Sequence, residues 1–431
     1  MYYRPWKIQA LESEQVQRLV RELEMPQLLC RVLAARGYTN PETARTVCEG
    51  VSALSDPMML AGMEQAVERI HRAVDGGERV VVFGDYDVDG VTATAMLYTY
   101  LDSIGAEVYY KLPNREEDGY GLSVPAVEQM AEKGVQLIIT VDNGISAAEA
   151  VARASELDMD VVVTDHHLPP ETLPQAAALI DPQLHYDTSP CKTLCGAGVA
   201  YKLICALEGA SCEEMLAYYA DLAAIGTVAD IMVLEGENRT LVKAGLELMQ
   251  DSERPGLRAL ISACGLEDKP LTAESISYAI APKLNAAGRM KDATAALQLL
   301  LCEDEEEAEE IAHELIEQNN ERRKTEQDIA AQIMEQIAGA DGHDKERMIV
   351  VWGKGWHQGV IGIVASRLVE RFGKPAIVIS IDENGEGKAQ DAVFPDFRFM
   401  MRLPLRLSIC CASAGMPPPR GFRCARRIWR R

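Results

Sequence analysis

Four short motifs combine carboxylate and imidazole side chains in a pattern typical of metal-dependent enzymes. The runs are Asp-Tyr-Asp-Val-Asp-Gly at 85–90, Val-Asp-Asn-Gly at 141–144, Thr-Asp-His-His at 164–167 and Gly-Thr-Val-Ala-Asp at 226–230. Such oxygen and nitrogen ligands suit Mn²⁺ best and Mg²⁺ next. Two bound ions activate a water and stabilise both oxygens of an in-line displacement at phosphorus. The motifs predict a two-metal phosphoesterase site made of Asp87, Asp89, Asp142, His166, His167 and Asp230.

Each motif also has a plainer interpretation. Three acids within five residues occur in polar loops and at helix caps, and Asp-Asn-Gly is a common turn. Asp230 could cap a helix, although burying an acid in an apolar helical stretch is costly without a partner or metal. His166 and His167 are less easily explained as surface residues, because they follow a predicted buried strand in a chain with only 7 histidines. The prediction therefore depends on the four motifs together.

The order of the predicted strands and helices explains how these motifs could meet. Continuous apolar runs indicate strands, and helical segments such as 92–104 and 146–156 separate them. The predicted strands cover residues 79–83, 108–112, 135–141, 160–164 and 179–180. This alternation is typical of a parallel sheet with helices on both faces. Three motifs directly follow strands, so we expect them at one crevice beyond the carboxyl ends of the strands.

The chain as a whole predicts an α/β fold with a parallel-sheet catalytic domain, a long helical connector and a second, smaller α/β domain. The connector helix is expected at about 303–337, one helix or a pair, and begins in an acidic run that suits a helix N-terminus. The predicted segments are a helical region at 1–75, the catalytic domain at 76–240, a helical region with the connector at 241–340, an incomplete second domain at 345–399 and an aberrant tail at 400–431.

The composition excludes some classes of protein. A net charge of −23 argues against coating of duplex DNA through bulk positive charge, although a local basic groove could still bind nucleic acid. No apolar run approaches the roughly 20 residues that span a bilayer, and no export signal is evident. We therefore expect a cytoplasmic protein without membrane association, whose 11 cysteines are reduced.

The motifs resemble those of a known superfamily. In their order along the chain, the four runs resemble the DHH phosphoesterase superfamily. Three further runs resemble the RecJ family within it: Leu-Pro-Asn-Arg at 112–115 with Gly-Tyr-Gly at 119–121, Pro-Lys-Leu-Asn-Ala-Ala-Gly-Arg at 282–289, and Gly-Trp-His-Gln-Gly at 355–359. The resemblance extends from about residue 50 to about residue 388. Phe83 stands where the superfamily often has a histidine ligand.

The resemblance implies 5′→3′ degradation of single-stranded DNA in repair and recombination, with Mn²⁺ or Mg²⁺. It also implies a single-strand-binding protein and a helicase as partners. The implied metal ligands are Asp87, Asp89, Asp142, His166 and Asp230. His167 is expected beside the scissile phosphate, with Asp165 and Asp89 also in the catalytic centre. The residues predicted to hold the DNA are Arg115, Tyr120, Arg289, His357, Ser366 and Arg367.

Two other functions stay open at this point. One is a DHH phosphatase or nuclease acting on short oligonucleotides, nucleotides or pyrophosphate. The other is a catalytically impaired DNA-binding remnant that keeps the fold. The long connector and the Leu-Asn-Ala-Ala-Gly-Arg motif favour the exonuclease, and the full set of candidate ligands argues against the remnant.

The C-terminal residues depart from the family pattern. Residues 400–431 contain eight arginines, three cysteines and no acid. Back-translation of residues 389–422 in a shifted frame can restore Gly-Ser-Gly-Arg-Ser, Phe-Tyr-Asp-Ala-Leu-Ala-Ala and Gly-Gly-His motifs in order. We interpret this end as frameshifted. It would then lack the family's Ser/Arg and Gly-Gly-His contacts and its OB fold, which predicts an intact metal cluster but weak retention of DNA.

Overall fold

The computed structural model describes residues 13–49, 52–114, 121–339 and 347–392. These residues form two compact units, one up to Ile316 and one from Glu317 onward. The first contains a five-stranded sheet and the second a three-stranded sheet. The predicted α/β class, with a second and smaller α/β unit, is confirmed.

The five-stranded sheet is entirely parallel. Its strands are β1 (Arg79–Phe83), β2 (Glu107–Lys111), β3 (Leu137–Val141), β4 (Asp160–Thr164) and β5 (Ala178–Ile180). The spatial order is β2-β1-β3-β4-β5, so the direction in which strands are added reverses between β1 and β3. Ligand sites of open α/β sheets lie at such a reversal, beyond the carboxyl ends of the strands. β1, β3 and β4 are neighbours, and they are the three strands that the predicted motifs follow.

Apolar side chains cover both faces of this sheet. On β1, Val80 and Val82 belong to one large core, and Val81 and Phe83 belong to a second core on the other face. The large core also contains residues of the helices at 63–76, 88–103, 196–208 and 212–229. The continuous β-branched runs in the sequence are thus explained by burial on both sides.

The helices of this unit account for most of its remaining described residues. They are α1 (Ser13–Leu23), α2 (Gln27–Ala35), α3 (Pro41–Glu49), α4 (Met63–Gly76), α5 (Val88–Ser103), α6 (Val124–Glu132), α7 (Ala148–Glu156), α8 (Gly196–Glu208), α9 (Cys212–Ala229), α10 (Gly236–Gln250), α11 (Pro255–Ala263), α12 (Ala273–Ser275), α13 (Ala281–Met290) and α14 (Thr294–Leu301). A 3₁₀ turn covers Pro57–Met59, and a π-helical turn, Ile276–Ile280, joins α12 to α13. Within the described ranges, no helix is both long enough and apolar enough to cross a membrane.

The predicted connector is one helix, α15 (Glu305–Gly339). The second unit then contains β6 (Ile349–Lys354), α16 (Gln358–Phe372), β7 (Ala376–Ile381) and β8 (Gly387–Ala392). β6 and β7 are parallel, whereas β8 pairs antiparallel with β7 over its whole length. β8 includes Ala389, where the sequence departs from the family pattern. The tail at 400–431 lies outside the described residues.

Candidate metal centre

The first acidic motif forms the start of α5. The Asp87 side chain caps this helix, because its Oδ1 accepts hydrogen bonds from the backbone N–H groups of Asp89 at 3.0 Å and Gly90 at 3.1 Å. The predicted helix start at Thr92 was therefore wrong by four residues, since Asp87 forms the cap and Asp89 lies in the first turn of the helix. Gly90 permits close packing: a Cβ there would lie 2.6 Å from the Asp85 nitrogen.

Asp89 is fixed by the N-terminus of a distant helix, α8. Its Oδ2 accepts from the Gly196 N–H at 2.6 Å, and its Oδ1 accepts from the Ala197 N–H at 2.8 Å. Unpaired N–H groups and the helix dipole both favour a carboxylate at this position. A Cβ on Gly226 would lie 2.7 Å from Asp89 Oδ1, so the glycine of the fourth motif leaves room for this carboxylate.

His166 lies at the centre of the cluster. Its Nε2 is 3.0 Å from Asp142 Oδ1, 3.6 Å from Asp89 Oδ2 and 3.8 Å from Asp230 Oδ2. Asp142 follows β3, His166 follows β4, and Asp230 ends α9. Asp230 therefore occupies a helix C-cap position and also faces the other ligands, so the two interpretations of this residue are compatible.

Potential ligand atoms form three overlapping groups, in each of which all atoms lie within 4.8 Å of one another. The groups are Asp85, Asp87 and Asp142; Asp89, His166 and Asp230; and Asp142, His166 and His167. All six residues of the predicted site are included. Asp85 joins them although it was absent from the predicted set; its signal was its place in the same acidic motif. Asp142 and His166 each belong to two groups, so neighbouring cations could share them.

The electrostatics of these groups fit divalent cations. Burial, followed by the negative charges of Asp89, Asp87 and Asp85, raises the pKa of Asp142 well above its ordinary value. Burial, and then Asp89 and Asp87, raise the pKa of Asp230 to about 7. Burial lowers the pKa of His166, which favours the neutral imidazole that ligates metals. Bound cations would offset the repulsion among the carboxylates, so these residues suit a metal site.

His167 differs from His166 in its partner and its charge. Asp165 Oδ1 contacts His167 Nδ1 at 2.7 Å and accepts the backbone N–H groups of both histidines. Asp165 Oδ2 accepts the Ile145 N–H at 2.9 Å. The Asp165 hydrogen bond, more than the surrounding negative charges, raises the pKa of His167 to about 9 against the effect of burial. Asp165 thus orients the His167 imidazole and favours its protonated form.

Asn143 ties the ends of two strands together beside the ligands. Its Nδ2 donates to the Phe83 carbonyl at 3.2 Å and to the Val141 carbonyl at 2.9 Å. Phe83 is fully buried in the sheet core. The position that often carries a histidine ligand in the superfamily therefore contributes packing in this chain.

Arg289 lies beside the acidic motif. It follows Gly288 on α13, and a Cβ on Gly288 would lie 2.4 Å from the backbone oxygen of Tyr86. Only glycine allows the helix to approach the Tyr86 carbonyl this closely. The contact brings the backbone at Gly288 close to Tyr86, in the acidic motif. A phosphate-binding role for the adjacent Arg289 stays a prediction.

We expect Gly288→Ala to disturb the metal centre although alanine is the better helix former. Its methyl group would push against the Tyr86 carbonyl, so the affinity for Mn²⁺ should fall about 10-fold, as for other losses of support around a metal site. Gly362→Ala on α16 is the matched control, because a Cβ there would lie 3.7 Å from the nearest neighbouring atom, Gln390 Oε1, which is an ordinary van der Waals distance. That control should raise stability by about 0.5–1 kcal/mol. Thermal unfolding over a Mn²⁺ titration measures both effects, and equal Mn²⁺ affinities in the two variants would contradict the account.

The other predicted DNA-binding residues belong to the second unit or lie outside the described residues. His357 caps α16, its Nδ1 accepting the Gly359 N–H at 3.1 Å. Ser366 donates to the Gly362 carbonyl, and Arg367 forms an ion pair with Glu326 at 2.5 Å. All three belong to the unit that begins at Glu317. Arg115 and Tyr120 lie outside the described residues.

Comparisons with known proteins identify the family. Residues 79–227 match the DHH family, N-terminal domain. The chain is 40% identical over 379 residues to the single-stranded-DNA-specific exonuclease RecJ of Bacillus subtilis, which covers 88% of this chain and 48% of that protein. A crystal structure of RecJ from Thermus thermophilus in complex with Mn²⁺ matches with a TM-score of 0.75 and 33% identity, covering 90% of this chain and 55% of that chain. A crystal structure of exonuclease RecJ bound to manganese matches with a TM-score of 0.69 and 37% identity, covering 78% of this chain and 83% of that chain. The chain belongs to the RecJ family.

Membership of the RecJ family confirms the resemblance inferred from the motifs. The chain spans about half to two thirds of the curated family members it matches: 48% of the Bacillus subtilis protein and 64% of the Escherichia coli protein. Solved RecJ structures contain Mn²⁺, and a further one from Thermus thermophilus contains Mg²⁺. Within the described residues, the acidic cluster could hold such a metal.

Proposed function

We propose that the chain hydrolyses phosphodiester bonds of single-stranded DNA from the 5′ end, using two divalent cations. Mn²⁺ is the preferred ion, and Mg²⁺ can replace it. The observation that carries this proposal is the convergence of seven acidic and histidine side chains, each with a potential ligand atom, beyond the carboxyl ends of β1, β3 and β4. The chain matches only part of the length of its relatives, so the exonuclease activity of those proteins is a proposal for this chain.

The metal ligands proposed are Asp85, Asp87, Asp89, Asp142, His166 and Asp230. When bound, the cations supply a reactive water and neutralise charge on the phosphate that it attacks. The protein supplies fixed ligand directions before the cations bind. Asp89 is held by two N–H groups of α8, and Asp87 is held by two N–H groups of α5. Such fixed carboxylates need little reorganisation during the reaction.

We assign His167 a role at the phosphate rather than a role as a ligand. Asp165 accepts from its Nδ1, and a pKa of about 9 keeps the imidazole protonated at neutral pH. A protonated imidazole has no free lone pair for a metal, but its Nε2–H can donate to a phosphate oxygen or to the departing O3′. Arg289, next to the helix contact with Tyr86, is proposed to hold a phosphate oxygen of the strand.

The remaining assignments are proposals from the family resemblance. Arg115, Tyr120, His357, Ser366 and Arg367 are proposed to contact the DNA backbone. A single-strand-binding protein and a helicase are the proposed partners, and the cytoplasm is the proposed compartment. Repair and recombination of DNA is the proposed setting of the activity.

The full chain should be tested in Mn²⁺ on a single-stranded oligonucleotide labelled at either end. The proposal predicts immediate release of a labelled mononucleotide from the 5′-labelled strand and a ladder of shortening products from the 3′-labelled strand. A blunt duplex should resist, and a dinucleotide should react more slowly than the long strand. Cleavage of the dinucleotide alone would favour the phosphatase of short substrates, and binding of DNA without cleavage would favour the impaired remnant.

A further inference from the structure

Helix α9 ends in a backbone motif that normally requires glycine. The Ile231 N–H donates to the Val228 carbonyl, and the Met232 N–H donates to the Thr227 carbonyl, both at 3.2 Å. These two bonds define a Schellman C-cap, in which the first residue past the cap adopts the left-handed conformation. That residue is Ile231, with a φ of 58°. A β-branched residue in this region is a genuine outlier, because its side chain collides with its own backbone.

Packing of the Ile231 side chain does not compensate for this backbone strain. The residue is 87% exposed, and it belongs to neither core of the unit. Glycine or asparagine would end the helix with less strain. Strained residues that the fold does not need are concentrated at functional sites.

Ile231 lies at the edge of the metal cluster. It directly follows Asp230, whose Oδ2 is 3.8 Å from His166 Nε2. Leu168 directly follows His167 and is 84% exposed. Two exposed apolar residues thus directly follow residues of the candidate cluster, Ile231 after Asp230 and Leu168 after His167.

We propose that Ile231 and Leu168 form an apolar lip that packs against the base of the nucleotide whose phosphate is hydrolysed. The inference rests on the proposed nuclease function and adds a substrate contact to it. A nucleobase is the part of a DNA strand with a large apolar face, and in a single strand that face is free for stacking by a side chain. In a duplex, the base is paired and stacked between its neighbours, so its face is not free to contact a side chain. The lip therefore also favours single strands over duplexes.

Asp158 provides a matched control at the opposite edge of the sheet. It ends α7 with the same pair of hydrogen bonds, Asp158 N–H to the Ser155 carbonyl and Met159 N–H to the Ala154 carbonyl. Its φ of 57° almost equals that of Ile231. Asp158 precedes β4, however, whereas the metal ligands follow the strands. Replacement by glycine removes a left-handed side chain at both positions, with the larger relief of strain at the β-branched Ile231. It removes a side chain next to a proposed ligand at only one of them.

The test compares Ile231→Gly and Asp158→Gly in the full chain with Mn²⁺. Ile231→Gly should raise the thermal midpoint by about 2–4 °C, and Asp158→Gly should raise it by less. Ile231→Gly should lower kcat/KM on a single-stranded oligonucleotide about tenfold, the loss expected from one weak base contact. Asp158→Gly should leave kcat/KM unchanged. Leu168→Ala should show a smaller loss, and Ile231→Leu should keep most of the rate.

An oligonucleotide with abasic sites at its first positions separates a base contact from other roles. The rate on this substrate should be the same for the unmodified chain and for Ile231→Gly. An equal loss on both substrates, or no loss on either, would overturn the lip. If the unmodified chain releases no nucleotide from DNA in Mn²⁺, both the proposed function and the lip are wrong. If the unmodified chain is active and Ile231→Gly is equally active, only the lip is wrong.

Discussion

Replacing Asp142 with asparagine is expected to reduce Mn²⁺-dependent hydrolysis of single-stranded DNA by at least about a thousandfold. Asp142 belongs to two of the three ligand groups, so its loss weakens both proposed cation positions. Stabilisation of charge by metals is worth several kcal/mol at the transition state, and each 1.36 kcal/mol is a factor of ten in rate. Asparagine keeps the size of the side chain, so the effect reports charge and ligation. Release of nucleotides from a labelled single strand measures it.

The same variant should behave in the opposite direction in a stability measurement without metal. In EDTA, Asp142→Asn should unfold at a temperature at least as high as that of the unmodified chain, because it removes a buried carboxylate that neighbouring acids repel. Mn²⁺ should raise the midpoint of the unmodified chain but not that of the variant. The control is Asp221→Asn, since Asp221 is buried but pairs with Arg254 at 2.8 Å. Asp221→Asn should lose stability, but Mn²⁺ should still raise its thermal midpoint. If Mn²⁺ also raised the midpoint of Asp142→Asn, the assignment of Asp142 as a ligand would be contradicted.

Substitution of His167 by asparagine is expected to lower kcat by about 10²–10⁴-fold, the usual contribution of a positioned acid or base. Its effect on Mn²⁺ binding should be small, because the protonated imidazole is not assigned as a ligand. His166→Asn is the matched control on the adjacent residue. Burial and three neighbouring carboxylates support the proposed role of His166 as a ligand, so that variant should lose both activity and the thermal response to Mn²⁺. If His167→Asn abolished the thermal response, or left kcat unchanged, the two roles would be wrong.

The sequence predicted the sheet because its signals are local. Runs such as Val-Val-Val-Phe in β1 are buried on both faces, and this burial requires the continuous apolar pattern from which the strands were predicted. β1 and β4 have the predicted bounds. β3 and β5 differ by one or two residues at one end, and β2 is shifted by one residue at both ends. Convergence of the motifs followed from one rule, that parallel strands end at the same edge.

Features that depend on distant contacts were not predictable from the sequence. The Asp89 side chain is fixed by Gly196 and Ala197, more than 100 residues along the chain, and nothing near Asp89 indicates this. The need for glycine at 288 depends in the same way on the approach of α13 to Tyr86. The start of α5 was missed for a local reason, since Asp87 caps the helix and also faces the metal ligands.

Residues with two compatible roles were the most difficult to assign. Asp230 ends a helix and also faces His166, and Asp85 packs against Gly90 while it joins a ligand group. A sequence motif gives the residue type but not the direction of the side chain. Only the assembled fold separates His166, directed at three carboxylates, from His167, directed at Asp165.

The central claim is that Asp85, Asp87, Asp89, Asp142, His166 and Asp230 together hold the cations that drive hydrolysis. An anomalous difference map at the manganese absorption edge, from crystals of the full chain grown with Mn²⁺, tests it most directly. The account predicts two peaks at the carboxyl edge of β1, β3 and β4, with Asp142 and His166 among their ligands. Manganese bound elsewhere in the chain, with no peak among these side chains, would contradict it.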